Sequence, residues 1–69
     1  MTEHVYKVVE IVGSSEESVT KAIERAVSKA GETLRNLGWF EVMQVRGHLE
    51  NGKVAHYQVT LKVGFKLEE

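Results

Sequence analysis

The chain has 69 residues, nine basic and ten acidic side chains, a formal net charge of −1, and neither cysteine nor proline. This length allows one small domain, residues 1–69, and the near-neutral charge gives no long-range attraction for nucleic acid or an anionic membrane surface. No apolar run approaches the roughly 20 residues of a membrane span, and no export signal is visible. A core this small without disulfides often gains its missing burial by oligomerising, so we expect an oligomer. The lack of cysteine and of a visible export signal makes the cytoplasm the expected location.

The first half of the chain predicts a strand followed by a helix. Val5 to Val12 is rich in β-branched residues, and both of its faces are apolar, which predicts burial on two sides. Ser14 and Glu17 then have the spacing of a capping box. Apolar residues recur after it at intervals of three and four: Val19, Ala22, Ile23, Ala26, Val27, Ala30, Leu34 and Leu37. About 23 helical residues would result, with Gly38 as the C-terminal stop.

The second half predicts a β-hairpin. The strands are expected at Trp39–Leu49 and Ala55–Leu67, and Asn51-Gly52 between them is typical of a two-residue hairpin turn. Every second residue from Ala55 to Leu67 is apolar, so the last strand is expected to bury one face.

The order βαββ predicts an α+β fold, a three-stranded antiparallel sheet in the order 2-3-1 on one long helix. A helix crossover makes the first two strands parallel, so the third can pair with both in the antiparallel sense. One helix covers only one face of the sheet. Trp39, Val8 and Met43 are candidates for the other face, and exposure to water is unfavourable for them. We therefore expect this second face to meet a ligand or another subunit.

The hairpin register gives a geometric test of any site on that face. If Glu50 pairs with Lys53 across a two-residue turn, Trp39 lies opposite Gly64 and Val45 lies opposite Gln58. Trp39 and Gln58 then share a face but lie roughly 20 Å apart, whereas a three-ring heterocycle is only about 10 Å long. Either two chains build one site, or bending and a bulge bring the two groups together.

Several segments of the chain resemble the dodecin family, and the resemblance covers nearly the whole length without a gap. Its most specific parts are Trp39-Phe40-Glu41-Val42, Tyr57-Gln58-Val59 and Val63-Gly64-Phe65. The resemblance extends through Tyr6 to Ser15, Thr33 to Val42, Val45-Arg46-Gly47 and Tyr57 to Leu67.

The resemblance implies a hollow homo-dodecamer with trimer contacts and flavins held in pairs at two-fold axes. By match of motif, Trp39 would stack on the flavin ring and Gln58 would hydrogen-bond its polar edge. Arg46 and Lys66 match basic residues that hold the phosphate of flavin mononucleotide in bacterial relatives. Arginine is usual at the position of Lys66, and lysine keeps the charge but loses the two-pronged donor geometry. Riboflavin and flavin adenine dinucleotide are alternative flavins, and some relatives carry coenzyme A at trimer interfaces.

Simpler interpretations of the same residues stay open. Trp39 could be a core or interface residue, Gln58 a solvent-facing strand residue, and Arg46 and Lys66 surface charges. The three histidines have no spacing diagnostic of a metal site; they are His4, His48 and His56.

The expected function is storage or sequestration of flavin, with quenching of its photochemistry by electron transfer from the stacked indole. The alternative is a small oligomeric module whose main ligand is coenzyme A or a metal ion, or a purely structural assembly. No general acid, base or nucleophile is evident, so we do not expect an enzyme.

Overall fold

The structure, a computed structural model, describes residues 3–68, which form three strands and one helix. In chain order these are β1 (Tyr6–Ser15), α1 (Val19–Gly31), β2 (Leu37–Glu50) and β3 (Lys53–Lys66). β3 lies between β1 and β2 and is antiparallel to both. The predicted α+β fold and the strand order 2-3-1 are therefore confirmed, because β1-β3-β2 is that order read from the other edge.

The helix begins four residues later than the sequence predicts. Ser14 and Ser15 still pair with β3, so the strand satisfies their backbone groups and Ser14 is not a helix cap. The buried Ser15 hydroxyl accepts a hydrogen bond from the backbone N–H of Glu17 at 2.9 Å, which shapes the turn. Ser18 is the N-cap, and its Oγ accepts from the backbone N–H of Lys21 at 3.0 Å. The predicted capping box at Ser14 and Glu17 is wrong.

The helix is also shorter than predicted, with 13 residues instead of about 23. It ends at Gly31, a residue of low helix propensity. The N–H groups of Thr33 and Leu34 both donate to the Ala30 carbonyl, which closes the last turn. Asn36 then takes a left-handed backbone conformation with φ of 62°, and the chain enters β2. Gly38 lies inside β2 and is not the helix stop.

Replacing Ser18 by alanine should lower the free energy of unfolding by about 1 kcal/mol, because the Lys21 N–H loses its acceptor. Ser28→Ala is the matched control, since Ser28 is exposed within the helix and caps nothing. Thermal melts at equal protein concentration should show a lower midpoint for Ser18→Ala only. Equal midpoints for the two variants would contradict the assignment of the cap.

The core lies between α1 and the two strands that it covers. Small side chains let the helix lie close to the sheet, and the core consists of Ala22, Ala26, Val59, Leu61 and Val63. β1 buries only one face in the single chain. Val8 and Val12, on its other face, are 48% and 58% exposed, so the predicted burial on two sides does not hold within one chain.

β2 extends beyond the cover of the helix and leaves much apolar surface exposed. Every β2 residue after Leu37 is exposed. The radius of gyration is 14.3 Å, whereas a compact chain of this length has about 11 Å. The accessible surface is 5305 Å², against about 4400 Å² for a typical folded monomer of this mass. The excess surface favours a chain that completes its burial by association.

The hairpin turn is as predicted. Asn51 and Gly52 have φ of 53° and 76°, which is the type I′ geometry, and Glu50 pairs with Lys53.

Among residues 3–68, no helix is long and apolar enough to cross a membrane.

Candidate functional site

The face of the sheet opposite α1, here called the open face, carries all four of the predicted ligand residues. Side chains alternate along a strand, and Val59, Leu61 and Val63 of β3 point into the core with the helix. Their neighbours in β3 and the partners of those neighbours in β1 and β2 therefore share the open face. The open face includes Val8, Glu10, Val12, Trp39, Glu41, Gln44, Arg46, His48, Gln58, Thr60, Lys62, Gly64 and Lys66.

Trp39 lies on the open face against a glycine. It pairs with Gly64, as predicted, and a Cβ built on Gly64 would overlap the indole ring. The ring of Tyr6 meets the indole edge-on, with 5.1 Å between ring centroids. Trp39 remains 45% exposed. The glycine thus supports a flat aromatic surface that is still available for stacking.

Replacing Gly64 by alanine should displace the indole, because the added methyl group would occupy its position. Trp39 is the only tryptophan, so its fluorescence spectrum should shift in Gly64→Ala. Gly38→Ala is the matched control, since a Cβ there meets nothing closer than the Gly64 carbonyl oxygen at 3.6 Å. Unchanged tryptophan emission in Gly64→Ala would show that the indole does not depend on this contact.

Two irregularities in the hairpin change the predicted pairing at the other end of the open face. Leu49 pairs with Val54 but His48 pairs with His56, so Ala55 is an extra residue in β3 and the register beyond it moves by one. Gln58 consequently pairs with Arg46, and the predicted pairing of Val45 with Gln58 is wrong. The displaced register places the Arg46 side chain on the open face beside Gln58; the straight register would have turned it to the helix side.

A second irregularity restores the predicted register. Val42 pairs with Leu61 but Gln44 pairs with Thr60, so Met43 is an extra residue in β2.

Gln58 has a side-chain partner that the sequence analysis did not assign. His48 Nε2 lies 3.3 Å from Gln58 Oε1. The imidazole of His48 also stacks on that of His56, with centroids 4.4 Å apart and planes inclined by 15°. The only signal in the sequence was that His48 follows Arg46 by two residues. This spacing places both side chains on the same face of β2, and it becomes informative once the displaced register is known.

Lys66 lies at the Trp39 end of the open face. It pairs with Tyr6 in β1, and its backbone N–H donates to the Asn36 carbonyl at 3.0 Å. Gly64 lies six positions after Gln58 in β3, which corresponds to roughly 20 Å. The structure therefore collects the four predicted residues into two groups, Trp39 with Lys66 and Gln58 with Arg46, at opposite ends of one face.

The three histidines do not form a metal cluster in the part of the chain that the structure describes. His48 and His56 are stacked near the hairpin, whereas His4 meets Tyr6 edge-on at the other end of the sheet. Within residues 3–68, no group of three histidine, aspartate or glutamate side chains is arranged to hold a metal ion.

These features define a class of small βαββ domain that carries two groups of predicted ligand residues at opposite ends of an exposed sheet face. The family model for dodecin matches residues 5–68. This chain belongs to the dodecin family.

Individual relatives agree with this assignment. The chain is 54% identical to the dodecin of Thermus thermophilus over 65 residues, which is 94% of each protein. It is 56% identical to the solved dodecin of Streptomyces coelicolor, with a TM-score of 0.94 and coverage of 100% of this chain and 99% of that one. A more distant solved structure, the calcium-chelating dodecin of Mycobacterium tuberculosis, is 31% identical with a TM-score of 0.81, and covers 93% of this chain and 91% of its own.

Proposed function

We propose that this protein binds flavin between the subunits of a hollow homo-dodecamer, stores or sequesters it in the cytoplasm, and quenches its photochemistry. The observation that carries the proposal is the half-exposed indole of Trp39 lying on Gly64. Membership in the dodecin family supports the same conclusion. The proposal assigns no catalytic step to any residue.

Trp39 is proposed to stack on the isoalloxazine ring. An indole is a large, flat and electron-rich surface, and aromatic pairs contribute about 0.5–1.5 kcal/mol beyond the burial of their area. The contact would place an electron donor against the light-excited ring. Rapid electron transfer from the indole to the excited ring, followed by return of the electron to the indole, would restore both ground states before the flavin reacts with other molecules.

Two chains are proposed to build each site, because the two halves of the open face are roughly 20 Å apart. In a two-fold contact the same patch is used by both subunits, with each residue i of one chain meeting residue j of the other. The Trp39 and Lys66 end of one chain would then face the Gln58 and Arg46 end of its partner. Each interface would hold two equivalent sites, in agreement with flavins bound in pairs.

The basic residues are proposed to select the form of flavin. Arg46 and Lys66 would bind the phosphate of flavin mononucleotide, and their charges come from opposite ends of the open face. Riboflavin lacks this phosphate, so it depends on Trp39 and Gln58 alone. The amide of Gln58 offers both donors and an acceptor to the polar edge of the ring.

A second candidate function is an assembly whose main ligand is a metal ion, and the calcium-chelating relative is the observation that favours it. Coenzyme A, expected from the resemblance as a ligand of some dodecins, is tested in the same way. Isothermal titration with calcium, with coenzyme A and with flavin on one preparation separates these ligands.

The direct test of flavin binding is a fluorescence titration. Protein is added to riboflavin and to flavin mononucleotide, and the flavin emission is followed. The proposal expects nearly complete loss of emission at micromolar protein concentration. Undiminished emission with an intact assembly would contradict flavin binding and favour the second candidate.

A further inference from the structure

A pair of stacked imidazoles at the Gln58 end of the open face has no role in the function proposed above. His48 and His56 occupy opposing positions in β2 and β3, with 4.4 Å between their ring centroids. His48 Nε2 is also 3.3 Å from Gln58 Oε1. His48 therefore links the imidazole pair to Gln58, which is a proposed ligand residue.

The chemistry of the amide fixes the direction of this hydrogen bond. An amide oxygen can only accept, so this contact is a hydrogen bond in the forms of His48 that carry a proton on Nε2 and donate it to Gln58 Oε1. The NH₂ group of Gln58 then points away from His48 and has its donors available. A rotated amide would instead present its oxygen to the ligand, so His48 selects between two different hydrogen-bonding edges.

We propose that His48 is a positioning residue, which holds the Gln58 amide so that its NH₂ group meets a hydrogen-bond acceptor on the edge of the bound ring, and that the stack on His56 makes this arrangement sensitive to acid. The inference rests on the proposed function, in which Gln58 contacts the ligand. The stack fixes the plane of the His48 ring, and the plane fixes the direction of the Nε2–H bond.

The acid sensitivity follows from two like charges at short distance. Histidine is the side chain that ordinarily changes charge between pH 5 and 8. One proton on the pair is tolerated, because a charged His48 still donates from Nε2. A second proton places positive charges on both stacked rings, which repel each other. The rings then separate, the amide loses its anchor, and the affinity for the ring falls as the pH falls.

The charged residues next to the pair in sequence or strand register belong to β2, to β3 and to the turn that follows β1. Arg46 precedes His48 by two residues on β2, and the pair of Glu50 with Lys53 lies at the turn. β1 contributes Ser14 and Ser15 beside β3, and the acidic residues that follow begin the turn toward the helix; they are Glu16 and Glu17. None of these groups stacks on an imidazole. Replacing His56 therefore removes the second stacked charge without changing any of them.

The test uses the assembled protein and riboflavin, which has no phosphate to titrate. Dissociation constants are measured by flavin fluorescence from pH 8 to pH 5 for the wild type and three variants. His48→Phe keeps a stacking ring but removes the donor, and should weaken binding about 3- to 10-fold at pH 8. His48→Gln supplies an amide donor and should restore most of the affinity. His56→Phe keeps a stacking ring without its charge, and should flatten the pH profile while leaving the affinity at pH 8 within about two-fold.

Each outcome separates this inference from the proposed function. If the wild type fails to quench riboflavin at every pH, both are overturned. If the wild type quenches and His48→Phe binds equally well at pH 8, only the positioning role is overturned. If His48→Phe fails to assemble, the wild type is compared with His56→Phe instead. Identical pH profiles for these two proteins would overturn the acid-sensitive stack. His4 is unchanged in all variants, so it contributes equally to every profile that is compared.

Discussion

Replacing Trp39 by alanine should weaken riboflavin binding on the order of 100-fold and abolish the quenching of whatever flavin remains bound. The estimate combines the aromatic contact itself with the apolar surface that would no longer be buried against the ring. The loss of quenching has a separate cause, since alanine cannot donate an electron. The measurement is the flavin fluorescence titration, in which the midpoint reports affinity and the plateau reports quenching.

Two variants serve as controls for Trp39→Ala. Trp39→Phe retains a smaller ring and should give intermediate affinity with weaker quenching. Lys21→Ala removes a partner of the exposed pair with Glu24 on the helix, far from the open face, and should change binding less than about two-fold. A Trp39→Ala protein with wild-type midpoint and plateau would show that the indole is not the stacking surface.

Replacing Gly13 by alanine should be among the most destabilising single changes in the chain. A Cβ at this position would overlap the Ala22 backbone carbonyl and lie 2.7 Å from the Ala26 Cβ. Both contacts belong to α1, and the backbone atom cannot rotate away as a side chain can. The helix must therefore move off β1, at a cost of about 3 kcal/mol. A fall in the thermal midpoint of on the order of 10–20 °C should follow.

Gly47→Ala is the matched control for this prediction. Gly47 also lies in a strand, but a Cβ there meets only the Val54 Cγ1 at an ordinary distance of 3.9 Å. The two melting curves are compared at one protein concentration, because the stability of an oligomer depends on it. Equal midpoints for Gly13→Ala and Gly47→Ala would contradict the close approach of α1 to β1.

The sheet could be predicted from sequence because its signals are local. The strict alternation in β3 and the Asn51-Gly52 turn identify the central strand and the hairpin, and both are confirmed. The helix ends could not be located as well. Ser14 and Ser18 are equivalent candidates for a cap, and only pairing with β3 excludes Ser14. Leu34 and Leu37 continue the helical spacing although the helix has already ended at Gly31.

The hairpin register shows how a prediction can be right at one position and wrong at another. Counting from the turn gives Trp39 opposite Gly64 correctly, because between the turn and Trp39 the structure contains one extra residue in each strand and the two shifts cancel. The extra residues are Ala55 in β3 and Met43 in β2. Between them the register is displaced by one, so Arg46 replaces Val45 opposite Gln58. The sequence around neither extra residue is unusual. Such bulges depend on the twist of the whole sheet, so they could not be located from the sequence.

Flavin bound between the chains of a homo-dodecamer would change both the mass and the ligand content of the protein complex. Native mass spectrometry of protein incubated with riboflavin reports the number of chains and the number of bound ligands in the same spectrum. We expect a complex of twelve chains that carries flavin, and no flavin on any single chain. Flavin bound to lone chains, or a flavin-free assembly in the presence of excess riboflavin, would contradict it.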